Sequence, residues 1–140
     1  MQKKNKIQFR IFDSFDMKSF EEKALKELKK KKIKFICLAG FMKILTKNFI
    51  KDFGYKIINI HPSLLPKYKG LNSHSKVIKN KEKYSGCTVH YVSSKLDSGK
   101  IILQKKVEVK KNDTPLTLQK RILKHEHVVF SHAIKIIFPS

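Results

Sequence analysis

Apolar positions change their period several times along the chain, and each change marks an element. Residues 7–12 alternate, with Ile7, Phe9 and Ile11 on one side, which predicts a short strand ended by Asp13 and Ser14. From Ser19 the period lengthens. Phe20, Ala24 and Leu28 fall at i, i+4 and i+8, and Ser19 with Glu22 has the form of a capping box, so a helix is predicted over 17–31. Its last residues and the next are Lys29, Lys30, Lys31 and Lys32, cations that suit the negative end of a helix dipole. Residues 33–39 are almost continuously apolar, as in a strand buried on both faces, and Gly40 stops them. An apolar loop follows, then a short helix over 46–53 capped by Thr46 and closed by Gly54, then a strand over 56–60. Strand, helix, strand in that order implies a parallel pair.

The chain next turns polar, with two prolines and a glycine between His61 and Gly70, which is how a buried strand ends in a fixed loop. Residues 73–80 read as a short helix. Residues 86–92 alternate Cys87, Val89 and Tyr91 against Thr88, His90 and Val92, and a turn over 93–99 leads to a second strand over 101–109. The sheet therefore begins parallel and ends antiparallel. Pro115 opens the last helix in a first-turn position, with Leu118, Ile122, Val129, Ala133 and Ile136 on its buried face. The expectation is one α/β domain over residues 1–140, without repeats or linkers.

Composition narrows the function classes. A 41% hydrophobic and 31% charged content is that of a soluble globular domain, and no apolar run reaches the roughly 18 residues a membrane span requires. The first ten residues lack the apolar centre of a secretory signal, so the cytoplasm is the expected location and no membrane partner is expected. Cys37 and Cys87 stand apart from any metal-ligand spacing and read as reduced, mostly buried thiols. The net charge of +21 would draw the chain toward polyanions. The basic residues are nearly all lysine, with Arg10 and Arg121 the two arginines, and they are scattered without interleaved aromatic platforms. This pattern favours a solvated lysine surface over a nucleic-acid site, and suits an anionic small substrate.

Chemistry concentrates where the parallel strand ends. Asn59 and His61 are two residues apart, so they share one face of the strand and point into the crevice beyond the sheet. Asp97 lies in the later turn. The three form a set for acyl transfer to an amine: an amide and an imidazolium as donors to a developing oxyanion, and a carboxylate to keep the imidazole charged and accept the amine's proton. Taken alone, an Asn-x-His pair is also what a turn cap and a satisfied histidine look like. His61, His90 and Asp97 could form a facial metal triad, though no spacing demands it. His125 and His127 flank Glu126 but diverge on a helix. No metal is expected.

The segments 38–45, 59–71, 88–92 and 96–104, with Glu126 and His127, resemble phosphoribosylglycinamide formyltransferase in wording and in spacing, from about Phe9 to the end of the chain. The resemblance implies a three-layer Rossmann-like formyltransferase fold. It also implies transfer of a formyl group from 10-formyltetrahydrofolate to the amine of glycinamide ribonucleotide in purine synthesis, without a covalent enzyme intermediate. Carried over by motif, Asn59 binds the formyl oxygen, His61 is the general acid, and Asp97 holds His61 charged and relays protons. Met42, Lys43, Ile44 and Leu45 line the folate pocket with Asn59, the 93–97 turn closes over it, and Pro62 and Glu126 contact the glycinamide substrate.

The family pattern opens with a strand, a glycine-rich phosphate loop and a helix that find no counterpart here, since Gly40, Gly54, Gly70, Gly86 and Gly99 all fall in other motifs. A basic folate-side position of the family is occupied by Met17, next to Lys18. The resemblance thus implies a formyltransferase domain that lacks its N-terminal strands. An exposed sheet edge, poor autonomous folding, and self-association or a complementing chain along that edge would follow. Methionyl-tRNA formyltransferase, formyltetrahydrofolate deformylase and a non-catalytic basic nucleic-acid-binding remnant are the alternatives. The first usually has Arg-Gly where Lys69 and Gly70 stand, and the second typically has His where Pro62 stands.

Overall fold

The reason the chain folds as it does is clearest at the second strand, where alternate residues feed two separate cores. The computed structural model describes residues 7–12 and 16–139. Among them the elements run α1 (Met17–Lys30), β1 (Phe35–Leu38), α2 (Lys47–Phe53), β2 (Lys56–His61), α3 (Ser73–Lys79), β3 (Tyr84–Tyr91), β4 (Ile101–Glu108) and α4 (Pro115–Ile137). The strands form one sheet in the order β1-β2-β3-β4, with β1 parallel to β2 and the other two pairings antiparallel. Ile58 and Ile60 of β2 pack with Cys87 and Val89 of β3 against Leu118, Ile122, Val129 and Ala133 of α4 and Val77 of α3. Ile57 points the other way, into a second core built by Ala24 of α1 and Phe49 and Phe53 of α2. Helices thus cover both faces of a mixed sheet, the α/β layering expected.

Two polar devices hold the layers. Glu21 of α1 is buried, and its carboxylate accepts the Thr46 backbone N–H at 2.8 Å and the Thr46 hydroxyl at 2.7 Å, while Thr46 Oγ1 accepts the Phe49 N–H and caps α2. A carboxylate at a helix N-terminus is favoured by the unpaired N–H groups and the dipole there. On the opposite layer, Asp113 accepts two bonds from the Arg121 guanidinium, at 2.7 and 2.5 Å, and one from the Lys110 N–H at 2.7 Å. Arg121 also donates to the Glu108 carbonyl, tying the first turns of α4 to the end of β4.

Several sequence expectations are corrected. Residues 7–12 form no strand: Ile7, Phe9 and Ile11 are exposed, and Phe12 alone turns inward, edge-on to Phe20. A strand needs a neighbour, and none is paired with this segment among the described residues. Asp13 and Ser14 lie outside those residues. α1 is capped by Asp16, which accepts the Ser19 N–H at 2.7 Å, so no Ser19–Glu22 capping box forms. β1 is an edge strand with no fully buried residue, which leaves Cys37 exposed; only Cys87 is the buried thiol expected. Ile136 is 58% exposed, because α4 turns its Leu118, Ile122, Val129 and Ala133 stripe to the sheet and carries Ile136 off it. β3 begins at Tyr84, two residues earlier than its alternation indicated. No helix among the described residues is long and apolar enough to cross a membrane.

The Arg121 guanidinium holds the Asp113 carboxyl well below the ordinary carboxylate range. Asp113→Asn should therefore lower the urea-unfolding free energy by about 2 kcal/mol at neutral pH, the order for hydrogen bonds to charged groups. Because the folded pKa is depressed, the contribution is complete above the unfolded carboxylate value of about 3.9 and is lost as the pH falls below it. The gap between the parent chain and the variant should narrow only in that acidic window. Equal midpoints at pH 7 would contradict the assignment.

Candidate active site

The site grows from one row of side chains across the sheet. The register places Leu38 beside Asn59 and Asn59 beside His90, and His61 beside Thr88, so these residues project from one face at the carboxyl ends of the parallel strands. A register shift between Val89 and His90 kinks β3 where it meets β4. Irregularities of this kind often lie beside functional sites.

Beyond β2, the 62–70 loop folds back onto β3. The Thr88 hydroxyl donates to the Ser63 carbonyl at 2.7 Å and accepts the Leu65 N–H, while the Gln104 amide donates to the Leu65 carbonyl at 2.8 Å and to Thr88 Oγ1 at 2.9 Å. The Ser63 hydroxyl, fully buried, lies 2.6 Å from the Lys67 carbonyl and 3.2 Å from that of Tyr68. Tyr68, held at φ +57°, turns its carbonyl to His61 Nε2 at 2.8 Å.

The turn that carries Asp97 comes from the other side. A Cβ at Gly99 would fall 1.6 Å from the Tyr91 carbonyl oxygen, so only glycine lets the turn close onto the end of β3. Asp97 then sits with its side chain 7% exposed, Oδ2 accepting the Gly70 N–H at 2.8 Å and facing His61 Nδ1 at 3.4 Å, and Oδ1 lying 3.9 Å from His90 Nε2. Both nitrogens of His61 therefore face oxygen acceptors, the Tyr68 carbonyl and the Asp97 carboxylate. An imidazolium is satisfied at both ends of that geometry.

His90 orders Asn59. Its Nδ1–H donates to the Tyr91 carbonyl at 2.8 Å, which leaves Nε2 as an acceptor, and the Asn59 amide nitrogen lies 3.4 Å from it. The amide orientation follows: Nδ2 donates one hydrogen to His90 and keeps a second, while Oδ1 is buried without a partner. Burial pushes the His90 pKa down, against smaller upward effects of the Tyr91 carbonyl and Asp97. His90 thus stays neutral and accepting at pH 7.

Asn59, His90 and Asp97 line a cleft of about 40 Å³ with the apolar Leu38, Phe41, Ile44, Leu45 and Val92. Lys43 and Lys95 stand at its rim. His61 is 6% exposed and is not among the residues lining the cleft; it meets the site through Asp97. The structure brings Asn59, His61 and Asp97 together. Of the expected folate-side residues it places Lys43, Ile44 and Leu45 on the cleft, but Met42 is 66% exposed and lies off it. Pro62 is outside the cleft, its carbonyl 3.4 Å from the Ser73 hydroxyl. Glu126 sits half-buried on α4, its carboxyl raised by burial, and its charge reaches Cys87, whose thiol burial pushes up to about 12. No hydrogen bond or ion pair joins Glu126 to the triad among the described residues. Sequence reasoning missed His90 as the partner of Asn59 and the Tyr68 carbonyl as the partner of His61. The first had a signal in the strand alternation, which sets Thr88 and His90 on one face. The second had none, because it is a main-chain atom. Among the described residues no group of three or more His, Cys, Asp or Glu is placed to hold a metal ion.

Comparison with known proteins adds independent findings. The profile of the family described as "Formyl transferase" matches residues 1–134. Phosphoribosylglycinamide formyltransferase of Bacillus subtilis is 38% identical over 128 residues, covering 87% of this chain and 66% of that protein. The human trifunctional purine biosynthetic protein adenosine-3 is 45% identical over 105 residues, 75% of this chain and 10% of that protein. The crystal structure of phosphoribosylglycinamide formyltransferase from Bacillus halodurans superposes with a TM-score of 0.91 at 31% identity, covering 99% of this chain and 73% of that one. That from Anaplasma phagocytophilum does so at 0.79 and 46%, covering 83% and 57%. The chain thus spans less than two thirds of the length of several relatives it matches.

Because the folded state binds the His90 proton less readily than the unfolded chain, the Asn59–His90 bond should persist at pH 6.5 and above. Ring ¹⁵N NMR should show His90 as the Nδ1–H tautomer throughout that range, and the site should cost stability as the pH falls below the unfolded value. A His90 ring already protonated at pH 6.5 would overturn this account of how Asn59 is oriented.

Proposed function

The chain belongs to the formyl transferase family, and from that premise we propose that it carries the folate-side part of a site that moves a formyl group from 10-formyltetrahydrofolate to the amine of glycinamide ribonucleotide. The observation that carries this reading is Asn59. Its amide nitrogen lies 3.4 Å from His90 Nε2, and the residue lines the same cleft as Asp97, whose carboxylate faces His61 at 3.4 Å. A carbonyl-type oxygen is what such a donor fits.

The rest of the cleft agrees in chemistry. Leu38, Phe41, Ile44, Leu45 and Val92 offer an apolar wall to a flat heterocycle, and Lys43 and Lys95 meet an anionic tail at the rim. As the amine nitrogen bonds to the formyl carbon, Asn59 donates to the oxygen on which charge develops and His61 supplies a proton to it. Asp97 faces the imidazolium and takes the proton the amine loses; as the carbonyl re-forms, the proton on its oxygen returns to His61, the carbon–nitrogen bond to folate breaks, and the folate nitrogen receives the proton held by Asp97. Glycinamide has an α-amino group with a pKa near 8, so a usable neutral fraction exists at pH 7 without a further base. The ribose-phosphate subsite belongs, in this proposal, to the part of the relatives that this chain does not span, with Pro62 and Glu126 on the substrate side and Met42 at the outer edge of the folate side. The exposed edge of β1 is the surface along which a complementing chain or a second copy would pair. The cytoplasm is the proposed location.

Three acceptors, glycinamide ribonucleotide, methionyl-tRNA and water, offered with 10-formyltetrahydrofolate to the chain together with the part of its relatives that it does not span, separate the readings. The proposal predicts formyl transfer to the first alone, and Asn59→Ala or His61→Ala lowers kcat/KM by at least about 2.7 kcal/mol, roughly a hundredfold, the order of an oxyanion donor. Transfer to either other acceptor, or near-parent rates in both variants, would refute it.

A further inference from the structure

Tyr68 offers its carbonyl to His61 from an unfavourable backbone. At φ +57° it lies in the left-handed region, which a bulky side chain seldom adopts unless its surroundings hold it there. The side chain supplies that hold. Its half-buried ring packs against the core that contains Val77 and Leu118, and its hydroxyl donates to Glu82 Oε2 at 2.7 Å and accepts from the Asn80 amide at 3.0 Å. A hydroxyl on a carboxylate at this distance belongs to the stronger class of hydrogen bonds. The same bond is the largest of the influences that hold the Glu82 carboxyl below its ordinary value, and Lys67, at 3.4 Å, shares the oxygen. Main-chain bonds fix the grip in turn. The Asn80 N–H donates to the Lys76 carbonyl at 3.0 Å, that of Lys81, at φ +52°, to Ile78 at 3.0 Å, and that of Glu82 to Val77 at 3.2 Å, so the end of α3 presents the carboxylate to the phenol. The Ser63 hydroxyl, 2.6 Å from the Lys67 carbonyl and 3.2 Å from that of Tyr68, steadies the stretch from within. None of Ser63, Tyr68, Asn80 and Glu82 lines the cleft that holds Asn59 and Asp97.

We propose that Glu82 and the Tyr68 hydroxyl are positioning residues for His61: by gripping the phenol from the end of α3, Glu82 keeps the Tyr68 backbone left-handed and its carbonyl on His61 Nε2. The two nitrogens of a rigid ring do not move independently. The bond at Nε2, 2.8 Å long, therefore sets where Nδ1 faces, 3.4 Å from Asp97 Oδ2. This role deepens the one proposed above for His61 and rests on it for the rate alone.

The test reads the ring before it reads the reaction. In the full chain with ¹⁵N-labelled histidine, the Nε2–H of His61 should exchange slowly with solvent, and Glu82→Ala or Tyr68→Phe should each speed that exchange about tenfold, the order for a hydrogen bond to a charged group. Glu82→Gln, which keeps an acceptor for the phenol, should recover most of the loss. Glu82→Ala combined with Tyr68→Phe should act about as strongly as Tyr68→Phe alone, since both break the same bond. Asp113→Asn, which loosens α4 without touching this path, should leave the His61 exchange unchanged. Formyl transfer, assayed with the part of the relatives that the chain does not span, should slow by the same factor, in kcat rather than KM. Unchanged exchange in Glu82→Ala, an equal acceleration in Asp113→Asn, or effects that multiply in the double variant would overturn the positioning. If the ring responds as stated while the parent transfers no formyl group, the proposed function falls and the positioning of His61 stands.

Discussion

The carboxylate of Asp97 is almost out of water, at 7% side-chain exposure, and the surrounding chain is arranged to meet its charge. A buried anion is costly unless donors surround it. Here the donors come from a stretch distant in sequence from Asp97: the Gly70 N–H from the end of the 62–70 loop, and the imidazole of His61 from the strand that precedes it. The requirement works in both directions. Satisfying Asp97 fixes the loop against the turn, and fixing the loop brings the Tyr68 carbonyl to the far nitrogen of His61. Thr88 and Gln104 make this affordable by anchoring the loop to β3 and β4 through main-chain atoms, and Gly99 lets the turn close where any side chain would collide with Tyr91.

His90 completes the arrangement from the sheet itself. Burial disfavours its charged form, and in the neutral form it can accept from Asn59, so the amide is oriented by a group that need carry no charge. Two histidines that face the same carboxylate therefore have opposite duties. His61 has oxygen on both sides and suits a proton donor; His90 has one donor bond and one acceptor bond and suits a positioner.

Much of this was legible in the order of residues. The face shared by Asn59 and His61 follows from strand periodicity, the helix closed by Gly54 from its cap chemistry, and the parallel-then-antiparallel sheet from the order and spacing of elements. The failures share a physical cause. The alternation of Ile7, Phe9 and Ile11 and the continuous run 33–39 report how well residues would fit a sheet, whereas burial depends on whether a neighbour is there, and β1 ends the sheet with Cys37 exposed. Ile136 follows the helical period, yet the period does not say where the sheet beneath α4 runs out. In the site, side-chain partners were within reach of sequence reasoning, and main-chain partners such as the Tyr68 carbonyl and the Gly70 N–H were not.

The central claim is that Asp97 and His61 act as one unit in formyl transfer. A double-mutant cycle tests it most directly: Asp97→Asn, His61→Gln and the double variant, each assayed for kcat/KM with 10-formyltetrahydrofolate and glycinamide ribonucleotide. If the pair is a unit, the double variant is about as slow as the slower single variant, and the coupling between the two positions is large. Two losses that simply multiply, with no coupling, would contradict it.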